Sequence, residues 1–497
     1  MTNLAPSRRP TGARRLDWLP SWPLAVGTTL FLLLLLTAGG DGLLVDPDTQ
    51  WHIAIGEWIL RHAAMPTVDH HSFTFAGKPW IAKEWLSQVL LALSYRAAGW
   101  AGVKLLASAA LAATFSLLLG LLLRYLAPLP AAILALAAIA LSAPHFLARP
   151  HVLAFSLSLL WVAGLVRAAE EKRAPGAKLL PVMTAWANLH AGFTLGLLLV
   201  AAFALDAVVS VSDNQRRFQL AKGWGLFGLA ALAAACITPY GYEPILVAGH
   251  IMTLGDALPL ISEWRSPDFS AQYLQGLVLL FALLAALVAG LRLPLVRAMI
   301  IGGLIGLYFK HARNAEVFGT FVPLILAPIL ARQWPALAPS KDRWIATNHP
   351  SGRWATAISC LLVTAVAAVA LTDRSIKPPS AVAPVAALEF ARKAGLTGHV
   401  LNDYNFGGFL ILEGVPTFID GRGELFGGQF ISQYAHAVAL RDVKPLDEFL
   451  DEYAIDWTLL RKDRAANRLL DRLPGWRRAY EDEDAAIYVR SKMPRKD

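Results

Sequence analysis

The feature that most constrains this chain is the repetition of apolar runs about as long as a bilayer is thick. A helix rising 1.5 Å per residue needs roughly 17–25 apolar residues to cross a hydrocarbon core about 30 Å deep. Such windows recur near 23–40, 101–123, 129–146, 151–168, 178–190, 194–210, 222–238, 273–291, 295–309, 315–331 and 354–372. With 56% hydrophobic residues over 497 positions, the chain falls outside the soluble class. The expected fold is therefore a polytopic α-helical membrane protein with about eleven spans. Window 178–190 is short for an ordinary span and is expected to be re-entrant or tilted. Arg8, Arg9, Arg14 and Arg15 precede the first run as they would in a signal peptide. That run is long enough to span, and many more follow, so it reads as an uncleaved first helix behind a cytoplasmic tail, 1–22.

A formal charge of +9 raises the question of nucleic acid, but the basic residues are scattered between apolar runs and form no patch. No nucleic-acid partner is expected. Membrane orientation accounts for the pattern. Counting from a cytoplasmic start, the even connections carry Arg124; Arg167, Lys172, Arg173 and Lys178; Arg216, Arg217 and Lys222; Arg292 and Arg297; then Arg332, Lys341, Arg343 and Arg353. The odd connections differ in kind, concentrating Asp, Glu, His and Trp in 41–85, 144–151, 188–193, 238–270 and 310–316. Wetting alone does not call for that composition. Cys236 and Cys360 lie far apart in apolar segments and imply neither a disulfide framework nor a cysteine metal site.

The first outer loop opens with Asp46-Pro47-Asp48-Thr49-Gln50-Trp51-His52. Two carboxylates two residues apart can deprotonate an acceptor or bind a divalent cation; Asp48 or Thr49 can equally cap the helix that follows. Glu57, Trp58, Arg61 and His62 continue an amphipathic helix expected to lie on the membrane surface. Trp51, Trp58, Trp80 and Trp85 fit either an interfacial aromatic belt or a binding site. Asp69, His70 and His71 lack a third spaced ligand, so a zinc site is not expected. Arg149, before Pro150 and His151, can pair with a phosphate or carboxylate, or snorkel to headgroups. Asn188, His190 and Glu263 add polar side chains at corresponding depth, and Lys310, His311 and Arg313 form a cationic cluster against the charge rule, a natural partner for an anionic lipid head.

After 372 the chain becomes soluble in character. Apolar runs at 400–402, 409–412, 417–419, 457–460 and 485–489 alternate with helical stretches at 383–394, 429–438 and 444–453, which predicts a small extracytoplasmic α/β domain over 373–497. Asn402 to Gly408 and Ile419 to Glu424 follow two of these runs, where ligand loops and plain glycine turns are both expected.

The ensemble resembles the membrane-embedded C-type-fold (GT-C) glycosyltransferases, which use polyprenyl-phosphate sugars and carry an acidic motif in the first outer loop. The resemblance rests on Asp46-Pro47-Asp48 after the first span, the helical segment 50–61, Arg149-Pro150 and the outer C-terminal domain. The chain is also similar to bacterial membrane proteins of this type in Asp46 to His52, Lys78 to Trp80 with Glu84-Trp85, Asn188 to Phe193, Pro239 to Gly241, Glu263 to Pro267 and Ile419 to Arg422. It implies a bacterial inner-membrane enzyme with a GT-C transmembrane domain over 23–372. The enzyme would move a sugar, with inversion, from a polyprenyl-phosphate donor to an extracytoplasmic glycan, lipid or protein. Asp46 is then the first choice of general base, Asp48 its partner or a metal ligand, and Glu84 a second candidate. Arg149, Lys310 and Arg313 would hold the phosphate, with His52, His151, His190 and Glu263 as further substrate contacts. Members differ in metal dependence, so Mg2+ or Mn2+ stays open. Two other readings compete: a transporter or flippase of lipid-linked glycans, disfavoured because the polar clusters crowd one face and not the midplane, and a noncatalytic scaffold for envelope assembly.

Overall fold

The computed structural model describes residues 20–37, 42–251, 255, 264–339, 352–373, 375–441 and 445–491. The helical part comprises α1 (Trp22–Leu36), α2 (Asp48–His62), α3 (Trp85–Leu122), α4 (Pro128–Ser142), α5 (Pro150–Glu170), α6 (Leu180–Leu189), α7 (Phe193–Val209), α8 (Asn214–Ala235), α9 (Glu243–Ile251), α10 (Tyr273–Val288), α11 (Leu295–Lys310), α12 (Ala315–Gln333) and α13 (Arg353–Thr372). Each predicted window holds a helix. Among the described residues, six are long and apolar enough to cross a membrane: α3, α4 with the 3-10 turn that extends it, α5, α8, α12 with the turn before it, and α13. Helix α6, with 10 residues, is about 15 Å long and cannot cross by itself. Several helices carry a proline in the first turn, α1, α4, α5 and α6 among them, where its missing N–H has no intrahelical partner to lose.

One hydrophobic core runs through α3, α5, α7 and α12, with Phe115, Trp161, Phe193, Phe203 and Phe321 buried in it. Helices α10 and α13 instead leave residues such as Leu284, Val288, Leu361 and Val369 exposed, the surface a bilayer would cover. Helix α3 changes direction at Ala98-Gly99, where Gly99 takes a positive φ of 59°, a conformation that costs an ordinary side chain energy.

The C-terminal region contains α14 (Val385–Lys393), β1 (His399–Asn402), α15 (Gly407–Leu412), α16 (Gly423–Val438), α17 (Leu446–Glu452), β2 (Ile455–Arg461), α18 (Ala465–Leu470), β3 (Trp476–Glu481) and β4 (Ala485–Arg490). Its sheet has the order β1-β2-β4-β3, with β1 parallel to β2 and the other pairs antiparallel. Two expected strands are not strands. Phe409–Leu412 lies in α15, because Gly407 and Gly408 are needed where a helix start meets other backbone: a Cβ on Gly408 would fall 2.1 Å from the Pro47 carbonyl oxygen. Thr417 makes only an isolated bridge, to Ser72. Strand β3 escaped the sequence reading because its burial pattern is largely polar and half-buried, without an apolar run.

Helix α2 is not an open amphipathic helix: Thr49 to Gly56 are buried, between α3 on one side and α15 on the other, while Arg61 and His62 at its end are exposed. Trp51, Ile55, Ile59 and Trp80 share one core with Leu401, Phe418, Ile419, Phe426 and Phe430. Trp51 and Trp80 are thus core residues and not an interfacial belt. The first loop and the C-terminal region form a single packed unit, fastened by Arg422. This fully buried guanidinium donates to Asp420 Oδ1 and Oδ2, both at 2.8 Å, and to Asp69 Oδ1 at 2.6 Å, with Trp80 across its face at 5.1 Å. Asp69 also accepts the His71 and Ser72 N–H groups and the Ser72 hydroxyl, so it folds the loop back on itself.

Removing one partner of such a cluster strands the remaining charges. Arg422→Met is therefore expected to destabilise this unit by about 3–5 kcal/mol. Thermal unfolding of the detergent-solubilised protein, followed by tryptophan emission, should show a clearly lower midpoint. An unchanged midpoint would mean that Arg422 is not the fastener.

Candidate active site

Helix α2 begins directly after Asp46-Pro47, and Asp46 Oδ1 accepts the Asp48 N–H at 2.7 Å. The residue that tends the helix start is thus Asp46, from outside the helix, and not Asp48 or Thr49 as N-cap; the N-cap is Pro47. Arg149 precedes Pro150 and is held extended at φ −122°, ψ 165°, as a residue before proline must be. The Ala148 N–H donates to the Leu43 carbonyl at 2.8 Å, setting this turn against the start of α2. Arg149 Nη1 then donates to Asp46 Oδ2 at 3.2 Å and Nη2 to Asp48 Oδ2 at 2.5 Å. One guanidinium bridges both carboxylates. Above them sits Gly421: a Cβ there would lie 1.8 Å from Asp48 Oδ1, so the Ile419 to Arg422 turn closes over the ion pair as only a glycine backbone can.

Glu84, at the N-cap of α3, forms the adjoining cluster. Its Oε1 lies 3.6 Å from His190 Nε2 and its Oε2 3.9 Å from His52 Nε2. The Ala191 N–H donates to Oε1 at 3.4 Å. Both imidazoles are oriented by other groups. Gly192 N–H donates to His190 Nδ1 at 3.1 Å and Gln88 Nε2 to His52 Nδ1 at 3.3 Å. A backbone N–H only donates, so His190 Nδ1 is the acceptor and its Nε2 carries the proton that faces Glu84. Burial, reinforced by Arg149, Lys83, His190 and His151, drives His52 well below the usual imidazole range. Burial, with His151, Arg313, Arg149 and Lys83, does the same to His190. Both are neutral at pH 7.

Further around the site, His151 Nε2 lies 3.2 Å from Glu316 Oε1, and the His151 and His190 rings are 6.1 Å apart. Arg313 lies 4.5 Å over the Trp264 ring, and its field reaches His190 and Lys83. Lys83 is paired with Glu424 from α16. Burial opposes its charge, but Glu424 and Glu84 outweigh that and raise it above the ordinary lysine range.

Of the sequence candidates, Asp46, Asp48, Arg149, His52, Glu84, His190, His151 and Arg313 are brought into one polar region. Lys310 is exposed and makes no ion pair among the described residues; Glu263 lies outside the described residues. Sequence reasoning did not single out Lys83, Glu316 and Glu424. Lys83 stands beside Glu84, but a lysine next to a glutamate in a polar loop is ordinary, and its partner is 341 residues away. The donor set does not fit a divalent cation. Arg149 already occupies the space between the two aspartates, and among the described residues no group of three or more His, Cys, Asp or Glu is arranged to hold one.

The basic connections gather at the opposite end. Arg297 pairs there with Asp206 and Glu170, and Arg332 with Glu170. The two kinds of connection read from the sequence thus lie on opposite faces.

No protein-family model matches the sequence, and no curated protein is detectably similar to it. Among solved structures the fold is similar to the apo oligosaccharyltransferase of Archaeoglobus fulgidus, with a TM-score of 0.51 at 8% identity over 88% of this chain and 69% of that one. The chain shares the overall fold of that protein. ArnT from Cupriavidus metallidurans, bound to undecaprenyl phosphate, matches over 96% of this chain and 98% of its own with a TM-score of 0.48 and 13% identity. The oligosaccharyltransferase tethered to an acceptor peptide matches at 0.45 and 10%, covering 95% and 74%. The first of these carries the fold assignment.

Three histidines of this unit are depressed: His52, His190 and His71, the last lowered to about 4 by burial and Arg422. In the unfolded chain they take up protons near the ordinary value of 6.5, whereas in the folded chain they resist. Stability is therefore full above pH 6.5 and falls as the pH drops through the window beneath it. Melting temperatures at pH 7.5 and pH ~5 should differ accordingly, and His52→Gln with His190→Gln should narrow the gap. An equal gap in the double variant would show these imidazoles to be already charged.

Proposed function

We propose that the protein is a membrane glycosyltransferase that moves a sugar from a polyprenyl-phosphate donor to a nucleophile at the face bearing the first loop, inverting the anomeric carbon. The observation that supports this best is the convergence, on one face of a GT-C fold, of a carboxylate with spare acceptor capacity and three nearby cations. Both Asp46 oxygens are engaged, by the Asp48 N–H and by Arg149, and the aspartate is almost fully buried. Glu84 is differently placed: its imidazole contacts exceed hydrogen-bond length and its backbone contact is long. We assign the general base to Glu84 and a positioning role to Asp46 and Asp48, through Arg149.

In this mechanism the acceptor oxygen attacks the anomeric carbon as Glu84 takes its proton. The bond to the lipid phosphate breaks, and its electron pair stays on the phosphate oxygen. Arg149, Lys83 and Arg313 stabilise the charge that grows there. His52 and His190, both neutral, flank the carboxylate with their Nε2 atoms toward it.

A noncatalytic scaffold is the second reading, favoured by the internal character of the Asp46-Arg149-Asp48 pair, which needs no substrate to be satisfied. A deletion strain complemented with wild type, Glu84→Gln or Asp46→Asn separates the two, with envelope glycans and lipid-linked sugars as the readout. Loss of a general base should reduce transfer by about 10²–10⁴-fold, so Glu84→Gln should lose the glycan and accumulate its lipid-linked donor, while Asp46→Asn retains part of the activity. The reverse ranking at equal protein levels moves the base to Asp46. A glycan defect in the deletion that both variants repair fully supports the scaffold.

A further inference from the structure

The face opposite the carboxylate site holds a cavity that the transferase reading does not use. It has a volume of about 460 Å3 and lies among the ends of α3, α5 and α12, all of spanning length. Its apolar wall is Leu121, Ala163, Val166 and Leu324; its polar side is Arg124, Tyr125, Arg167, Glu170 and Glu171. That size is within the range of small-ligand sites, about 300–1,000 Å3.

The charges around it are unequal. Glu171 is held by Arg167 at 2.7 Å and Arg173 at 2.5 Å. Glu170 is held by Arg297 at 3.2 Å and by Arg332, and Arg297 also reaches Asp206 at 2.6 Å. With Arg124 this makes five arginines against three carboxylates. Every carboxylate is satisfied within the protein. Arg124 makes no ion pair among the described residues, and it lines the cavity. Tyr125 beside it is pushed above the ordinary phenol range by burial and by Glu170, so its hydroxyl stays protonated as a donor.

A surplus guanidinium and a phenol at the rim of an apolar cleft, at the end of spanning helices, match one class of ligand. Its head carries a phosphate and its next atoms are hydrocarbon. We propose that this cavity binds the phosphodiester head and glycerol of one anionic phospholipid, with Arg124 and Tyr125 on the phosphate oxygens and Leu121, Val166 and Leu324 against the glycerol and upper acyl carbons. The site lies on the other side of the bundle from Glu84 and does not depend on the protein being a transferase.

Native mass spectrometry of the full-length protein in detergent, titrated with phosphatidylglycerol, tests this. Wild type should retain one lipid through delipidation, and Arg124→Ala should weaken binding by roughly tenfold, the scale of one charge-assisted phosphate contact. Ala163→Leu fills the cleft without touching a charge and should displace the lipid likewise, which covers a folding failure of the arginine variant. Arg392→Ala, in the C-terminal region, should bind as wild type does. Retention of the lipid at the wild-type level by both Arg124→Ala and Ala163→Leu overturns the proposal. So does equal binding of phosphatidylcholine. Displacement of the lipid by millimolar inorganic phosphate, with Arg124-dependent phosphate binding to lipid-free protein, would make it a free-phosphate site instead.

Discussion

A buried guanidinium decides how the two halves of this protein meet. Arg422 comes from the C-terminal region, Asp69 from the first loop, and neither is tolerable in the interior without the other. Their pairing, with Asp420 as the third member and Trp80 across the guanidinium face, brings the Ile419 to Arg422 turn down onto the start of α2. Gly421 then closes over Asp48, and Gly408 meets the carbonyl of Pro47. The first loop is consequently a packed half-domain, built into the same core as the sheet region.

That packing determines the chemistry available beneath it. With α2 clamped between α3 and α15, His52 is buried and pointed at Glu84, while Gln88 and Gly192 hydrogen-bond the Nδ1 atoms of the two flanking imidazoles. Asp46 and Asp48 share Arg149 at the helix start. Among the three candidate carboxylates, Glu84 therefore has the most acceptor capacity to spare, and Lys83 beside it is kept charged by Glu424 from the C-terminal region. The covering domain contributes to the electrostatics of the site even though the candidate base and the imidazoles come from the membrane part and its loop.

What was legible in the sequence follows from local physics. Span-length apolar windows locate helices because a segment buried in hydrocarbon must satisfy its own backbone. Proline starts, the extended residue before Pro150 and the alternation of basic and polar connections are equally local signals. The clustering of Asp46, Asp48, Arg149, Glu84, His190 and Arg313 on one face followed from counting spans, and the structure gathers them there. The soluble region was harder. The run at 409–412 is as apolar as a strand yet lies in a helix whose glycine start packs on Pro47, whereas β3 has no apolar pattern to detect.

Sequence alone thus determined a helical membrane protein with a one-sided polar face and a mixed α/β appendage, because hydrophobic length and charge placement act over tens of residues at most. Tertiary structure decided which polar groups meet: Arg149 with both aspartates, Lys83 with Glu424, Arg422 with Asp69. The last two pairs are separated by more than three hundred residues. Such partnerships are chosen by the cost of burying a charge unpaired, and that cost exists only once the chain has folded around it.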